Sequence, residues 1–236
     1  MARIAMWSGP RNLSTAMMYA FAARGDCAVW DEPFYGAYLA ATGADHPMRA
    51  DVMAVLPTDA DTVARDCSGP VPDGQAHVYM KHMPHHMVAG FPLDWAEDCV
   101  NVHLIRHPAR VIASYAAKRD ALTLEDIGFV QQARIWRALP GPVIDSADIR
   151  ADPATLLARL CSAIGIGFTR SMLQWPAGPK PFDGPWAPHW YDAVHRSTGF
   201  APPEGDLPPL APAHRAILEA ALPVYEAMRA EAIRLP

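Results

Sequence analysis

Arg11, Ser14 and Thr15 stand close together just after an apolar run and a Ser8-Gly9-Pro10 turn. Just beyond them comes Ala16-Met17-Met18-Tyr19-Ala20-Phe21. A guanidinium and two hydroxyl donors at such a junction are equipped to hold an anion. The geometry adds to this, because a strand–loop–helix connection gathers backbone N–H groups at the positive end of a helix dipole. The chemistry is binding of phosphate or another tetrahedral anion by Gly9, Pro10, Arg11, Asn12, Leu13, Ser14 and Thr15. It is not that of a Walker A nucleotide site, which needs G-x-x-x-x-G-K-[ST]. Counted from Gly9, Ser14 replaces the second glycine and Thr15 the lysine. The same residues also fit an ordinary turn in which Asn12 or Ser14 caps the helix.

Three further groups could do chemistry. Arg106 stands at the carboxyl end of an apolar run, Pro108 opens a helix, and Ser114 follows on that helix. A planar guanidinium suits phosphate, which it meets with two parallel hydrogen bonds; it equally suits a surface ion pair at a helix start. Glu32, in Asp31-Glu32-Pro33-Phe34-Tyr35, follows a short strand at the same end of the sheet as the first loop. The cluster Lys81-His82-Met83-Pro84-His85-His86 is the other titratable group. Glu32 and His82 compete for the role of general base, a role worth ~10²–10⁴-fold in rate, and Glu32 is preferred. Alternatively, Glu32 pairs with Arg11 as a structural carboxylate, and the histidines form a surface turn or a zinc or nickel site. No cysteine or paired acid completes a ligand set, so no metal is expected.

The elements that must position these groups read as alternating strands and helices. Strands are expected over 3–7, 28–30, 77–81, 100–105 and 142–145. Helices are expected over 13–24, closed by Gly25, from about 58, over 109–118, 124–137 and 152–164, and over 213–234 with an interruption at Pro223. In the 124–137 helix, Ile127, Val130, Ala133, Ile135 and Trp136 give a mostly apolar face. Such a pattern predicts an α/β fold: a parallel sheet of about five strands with helices on both faces, followed by a Pro/Trp-rich carboxyl-terminal loop region. Ligands of such sheets sit beyond the carboxyl ends of the strands.

Composition narrows the class. The 236 residues suit one domain, 1–236, and 51% hydrophobic against 19% charged residues allow a sizeable core. A net charge of −5 argues against broad nucleic-acid binding. Cys27, Cys67, Cys99 and Cys161 show no C-x-x-C spacing and read as reduced thiols of a cytoplasmic protein. No run has membrane-spanning length and the amino terminus lacks the pattern of a secretory signal. Met17, Met18 and Met172 read as core filling.

The chain resembles the 3′-phosphoadenosine 5′-phosphosulfate-dependent sulfotransferases. Pro10-Arg11-Asn12-Leu13-Ser14-Thr15 aligns with their P-K-S-G-T-T loop, and Arg106 to Ser114 with R-x-P-x-x-x-x-x-S. Val143 to Asp152-Pro153 is similar to the following strand–helix unit. Lys180-Pro181-Phe182-Asp183-Gly184-Pro185-Trp186 resembles a degenerate Gly-Asp-Trp donor loop. The branch it most resembles, bacterial and plant, carries S-G-P-R-N-L-S-T and D-E-P-F-Y. The resemblance implies a P-loop-type fold and a metal-free transfer of sulfonate to a hydroxyl or amine of a small molecule. It places the donor's 5′ phosphosulfate on the Gly9–Thr15 loop, its 3′-phosphate on Arg106 and Ser114, and its nucleotide also near Gly184 and Trp186. His82 resembles the base of K-T-H-L-P with one residue missing, and Lys81 that segment's lysine. Trp175, Trp186, Trp190 and Tyr191 then form an aromatic wall for adenine or acceptor, or a packing cluster. Arg11 for lysine and Leu13 for glycine depart from the pattern. They leave a second reading, an inactive protein that binds adenosine bisphosphate; a third, a nucleotide-dependent small-molecule kinase, has the missing Walker lysine against it.

Overall fold

Short apolar segments separated by helices build one parallel sheet. The computed structural model describes residues 1–72, 74–117 and 122–236. The strands are β1 (Ala2–Ser8), β2 (Cys27–Asp31), β3 (His77–His82), β4 (Val100–Ile105) and β5 (Val143–Asp145), in the order β2-β3-β1-β4-β5, all pairs parallel. Consecutive strands lie first on one side of β1 and then on the other, so a crevice opens at its carboxyl end. The described helices are α1 (Ser14–Ala22), α2 (Tyr35–Thr42), α3 (Arg49–Val55), α4 (Ala60–Ser68), α5 (Pro108–Ala116), α6 (Phe129–Ala138), α7 (Ser146–Ala151), α8 (Pro153–Ala163), the short α9 (Ala187–Trp190) and α10 (Asp192–His195), and α11 (Arg215–Ala230).

The two-residue period of a strand sorts the core into two layers. Ile4, Met6, Tyr79, Val102, Leu104 and Ile144 pack with Met17 and Phe21 of α1 and Leu156, Leu157 and Leu160 of α8. Ala5, Trp7, Val78 and Met80 face the other way, with Phe34, Trp95 and Ile135. Each fully buried side chain of this size stabilises the fold by about 1.5–3 kcal/mol. Met17, Met18 and Met172 are core residues, as expected.

Several boundaries differ from the sequence reading for identifiable reasons. The helix expected from Thr58 begins at Ala60, because Asp59 is the cap and accepts the Thr62 N–H at 2.8 Å. Residues 124–128 form a turn ahead of α6, and Gly128 takes a positive φ of 70° at its cap. Val130 on α6 is 52% exposed, so it does not belong to the apolar face. The helix expected over 152–164 is α8, with Asp152 as its cap and Pro153 in its first turn, and it is preceded by an unexpected short helix, α7, capped by Asp145. α2 and α3 lie between Tyr35 and Val55, where no helix is expected from the sequence. Pro223 lies inside α11 without ending it. Lys118, the expected end of the α5 helix, lies outside the described residues. Among the described residues, no helix is long and apolar enough to cross a membrane.

Candidate active site

All five strands end on one side, and the connections after them enclose a cavity of about 300 Å³. Residues 10–16, Glu32, Lys81 and Arg106 line it. The loop after β1 is bent by two residues in left-handed backbone conformations, Arg11 at φ 63° and Leu13 at φ 79°. Glu32, after β2, is a third, at φ 48°. Three of the four positive-φ non-glycine residues among those described therefore border this cavity. Each costs of order 1–3 kcal/mol, strain of a kind that clusters at working sites. Leu13 stands where the resembling family has glycine, and its backbone retains the conformation glycine favours. Its side chain packs against the α1-side core.

The loop is fixed from behind. Asn12 Nδ2 donates to Leu104 O at 3.3 Å, and Gln132 of α6 donates through Nε2 to Trp7 O and Leu104 O at 3.0 and 3.1 Å. Gln132 Oε1 accepts the Gly9 N–H at 3.2 Å. That hydrogen bond corrects one expectation: the Gly9 amide is used internally and does not face the anion site. Glycine is needed there because a Cβ would lie 2.8 Å from Ile127 O. Neither Asn12 nor Ser14 caps α1, whose first turn has no side-chain cap. Its N–H groups are left for a ligand in the cavity.

Arg11 and Arg106 meet at this point. Arg11 Nε donates to Ser114 Oγ at 2.9 Å, and Arg106 Nη1 donates to Arg11 O at 2.5 Å. Burial lowers the Arg11 pKa, and the neighbouring Arg106 charge lowers it further. Two adjacent, partly desolvated cations favour an anion between them. Ser114 enters the site by orienting Arg11.

Glu32 and Lys81 form a second, buried group. Lys81 Nζ donates to Asp31 Oδ1 at 2.9 Å, to Glu32 Oε1 at 2.6 Å and to Tyr191 Oη at 2.5 Å. Tyr191 Oη also accepts from Trp186 Nε1 at 2.9 Å and donates to Asp31 Oδ2 at 2.7 Å. The three ammonium protons are thus engaged, so Lys81 acts through Glu32 as a positioning residue; this corrects its expected place among the catalytic groups. Burial raises the Glu32 pKa and Asp31 adds to the rise, while Lys81 opposes it; the net direction is upward. Burial would lower the Lys81 pKa, but Asp31 and Glu32 more than offset it and the ammonium persists.

His82 is a further correction. It pairs with Trp7 across the sheet, so it shares the opposite face from Lys81. Its ring stacks on Trp7 at 4.7 Å and lies 4.9 Å from Trp95. It is not among the residues lining the cavity. Burial pushes its pKa down to about 3, leaving a neutral ring in an aromatic core. His85 and His86 do line the cavity. Burial lowers both pKa values, that of His85 to about 3. His86 is stacked between Tyr35 and Tyr38, with Nδ1 4.0 Å from Glu32 Oε2. His82 therefore lies apart from the other two histidines, which dissolves the triple-histidine metal arrangement.

The Pro/Trp-rich region divides between both expected roles. Trp175 packs on Tyr19 and Phe200, whereas Trp186, Trp190 and Tyr191 line the cavity. Gly184 does not line it. Its N–H donates to Asp31 Oδ2 at 3.1 Å, and a Cβ would lie 2.2 Å from the Trp186 ring. Gly184 therefore supports the cavity wall from behind Trp186. Sequence reasoning missed Gln132, the hydroxyl of Tyr191, Arg150 and Glu204. A buried glutamine amid apolar helix positions was the visible signal for the first.

One end of the parallel sheet thus gathers a bent loop, two arginines and a buried carboxylate around a single cavity. Residues 2–232 match the family described as sulfotransferase domain, and the chain belongs to that family. Two Arabidopsis thaliana proteins named branched-chain-amino-acid aminotransferase-like protein 2 and protein 1 are 35% and 37% identical, each over 94% of this chain. The chain spans 40% and 41% of their lengths. The fold is similar to the sulfotransferase domain of the Synechococcus PCC 7002 olefin synthase, with TM-score 0.56 and 17% identity over 100% of this chain and 96% of that one. It is also similar to a sulfotransferase from Alicyclobacillus acidocaldarius, with TM-score 0.52 and 14% identity over 100% and 97%.

Proposed function

We propose that this protein transfers a sulfonate from 3′-phosphoadenosine 5′-phosphosulfate to a hydroxyl or amine of a small-molecule acceptor. The observation that carries the reading is one cavity bordered by Arg11, Arg106, the uncapped start of α1 and the Lys81-held carboxylate of Glu32. The cavity fits the donor's chemistry: two guanidinium groups and the uncapped amides of α1 border it, and Trp186 and Trp190 offer flat apolar surface. When bound, the donor supplies an activated sulfonate whose S–O bond to the 5′-phosphate is the bond that breaks.

Arg11 and the amides of the first turn of α1 hold the phosphosulfate and balance charge on the departing phosphate oxygen. Arg106 holds the 3′-phosphate, and Ser114 keeps Arg11 in place. Glu32 accepts the proton from the acceptor hydroxyl or amine as the new bond to sulfur forms. Its raised pKa makes it a stronger base than an exposed carboxylate. His85 and His86, neutral and cavity-facing, border the space left for the acceptor and bring no charge to it. Positioning and fixed electrostatics supply most of the rate, as in phosphoryl transfer.

The test pairs binding with turnover. Adenosine 3′,5′-bisphosphate at a hundred times its Kd should stabilise the protein by about 2.7 kcal/mol, with ATP and GTP giving far less in the same melts. Label should pass from ³⁵S-donor to members of a hydroxyl and amine panel. Stabilisation by ATP and GTP alone would favour the kinase; bisphosphate binding without any transfer would favour the inactive binder.

A further inference from the structure

At the edge of the cavity Arg106 is tied to a charge cluster whose other members have no part in the chemistry just described. Three guanidinium groups, Arg106 after β4, Arg110 on α5 and Arg150 on α7, converge on one carboxylate, Glu204. Arg106 Nη2 and Arg150 Nη1 both donate to Glu204 Oε1, the latter at 2.8 Å, and Arg110 Nε lies 3.3 Å from Oε2. The Glu204 side chain is only 7% exposed. Yet it comes from a proline-rich stretch, 200–211, that forms neither helix nor strand. The same arginines grip the backbone on both sides of it: Arg150 Nε donates to Pro202 O at 2.7 Å, and Arg110 Nη2 to Gly205 O.

The charges do not balance. Three cations face one monoanion, and Glu204 Oε2 is buried without a well-directed hydrogen bond. A phosphate monoester carries close to two negative charges and three acceptor oxygens, and would satisfy these donors better. Arg106 and Arg150 both line the cavity that holds Arg11 and Glu32, and so does Ala201 of the same stretch.

We propose that Glu204 is a built-in stand-in for the donor's 3′-phosphate. Arg150 and Arg110 join Arg106 as ligands of that phosphate, and donor binding exchanges the Glu204 carboxylate for it, releasing 202–205 from the arginine clamp. The proposal rests on the donor reading above and adds to it an internal competitor that sets donor affinity. A nucleotide without a 3′-phosphate has nothing to exchange and leaves the clamp closed.

Calorimetric titration of the wild-type chain and of Glu204→Gln with adenosine 3′,5′-bisphosphate and with adenosine 5′-phosphate tests this. The substitution should tighten the bisphosphate by at least about tenfold and leave the monophosphate within error. Wild-type bisphosphate binding that is unchanged or weakened by Glu204→Gln overturns the exchange while preserving the donor reading. Absence of bisphosphate binding in both proteins overturns both. Limited proteolysis of the wild-type chain needs no variant: saturating bisphosphate should speed cleavage after Glu204 by a glutamate-specific protease, and unchanged or slower cleavage refutes the release.

Discussion

Glu32 works under two opposed influences, and their balance sets a measurable pH profile. Burial and Asp31 push its proton affinity up, and Lys81 holds it down, leaving a net rise. A base must be deprotonated to act, so the rate should fall as pH drops through a value above the ordinary carboxylate range. Glu32→Gln should lower kcat by ~10²–10⁴-fold and abolish that acidic limb, while adenosine bisphosphate affinity stays unchanged in titration. A Glu32→Gln enzyme that kept both rate and limb would remove Glu32 from the reaction. Arg11 and Leu13, which depart from the family pattern, sit at the same scale. Leu13 keeps the glycine-like backbone at φ 79°, so the loop geometry survives the larger side chain. Arg11 directs its charge into the cavity, steadied by Ser114.

At the scale of elements, strand parity decides which member of Lys81-His82 borders the cavity. β3 places Tyr79 and Lys81 toward α1 and the cavity, and Met80 and His82 toward Trp7 and Trp95. One residue fewer than in K-T-H-L-P moves the histidine to the far face, since side chains alternate strictly along a strand. His82→Phe, which keeps an aromatic ring in an aromatic cage, should therefore retain wild-type kcat. A hundredfold loss in a well-folded variant would return His82 to the chemistry. Glycines act at this scale too. Gly9 lets the β1 loop pass under Ile127 O, and Gly184 lets the Trp186 ring lie against its own chain.

For the whole molecule, the buried histidines tie stability to pH. His82 and His85 have folded pKa values near 3, and that of His86 lies well below its usual value, all because burial disfavours the cation. In the unfolded chain each takes a proton near pH 6.5. The unfolded state therefore binds more protons between about pH 6.5 and 3. Each ring's contribution is complete above pH 6.5 and declines as pH falls, by about 1.4 kcal/mol per pH unit within the window. The raised Glu32 pKa acts in the opposite sense. Urea unfolding followed from pH 7.5 to 4.5 should show a steep loss below pH 6.5, shallower by about one proton in His82→Phe. A flat profile would mean that these rings are solvated.

Much of this was legible in the amino-acid order, for reasons of locality. The alternation of apolar runs with helical segments determined the parallel sheet, because backbone periodicity is written in neighbouring residues. The Ser8–Thr15 junction and the Arg106–Ser114 segment were readable as two strand–loop–helix units, and both border the one cavity. What local pattern does not carry is which distant groups share a solvent-free space. Tertiary packing alone spent the three protons of Lys81 on Asp31, Glu32 and Tyr191, turned the Gly9 amide to Gln132, and set Glu204 among three arginines. Charges and hydrogen-bond donors are assigned by proximity in space, and in a buried site each partner taken is one the substrate cannot have.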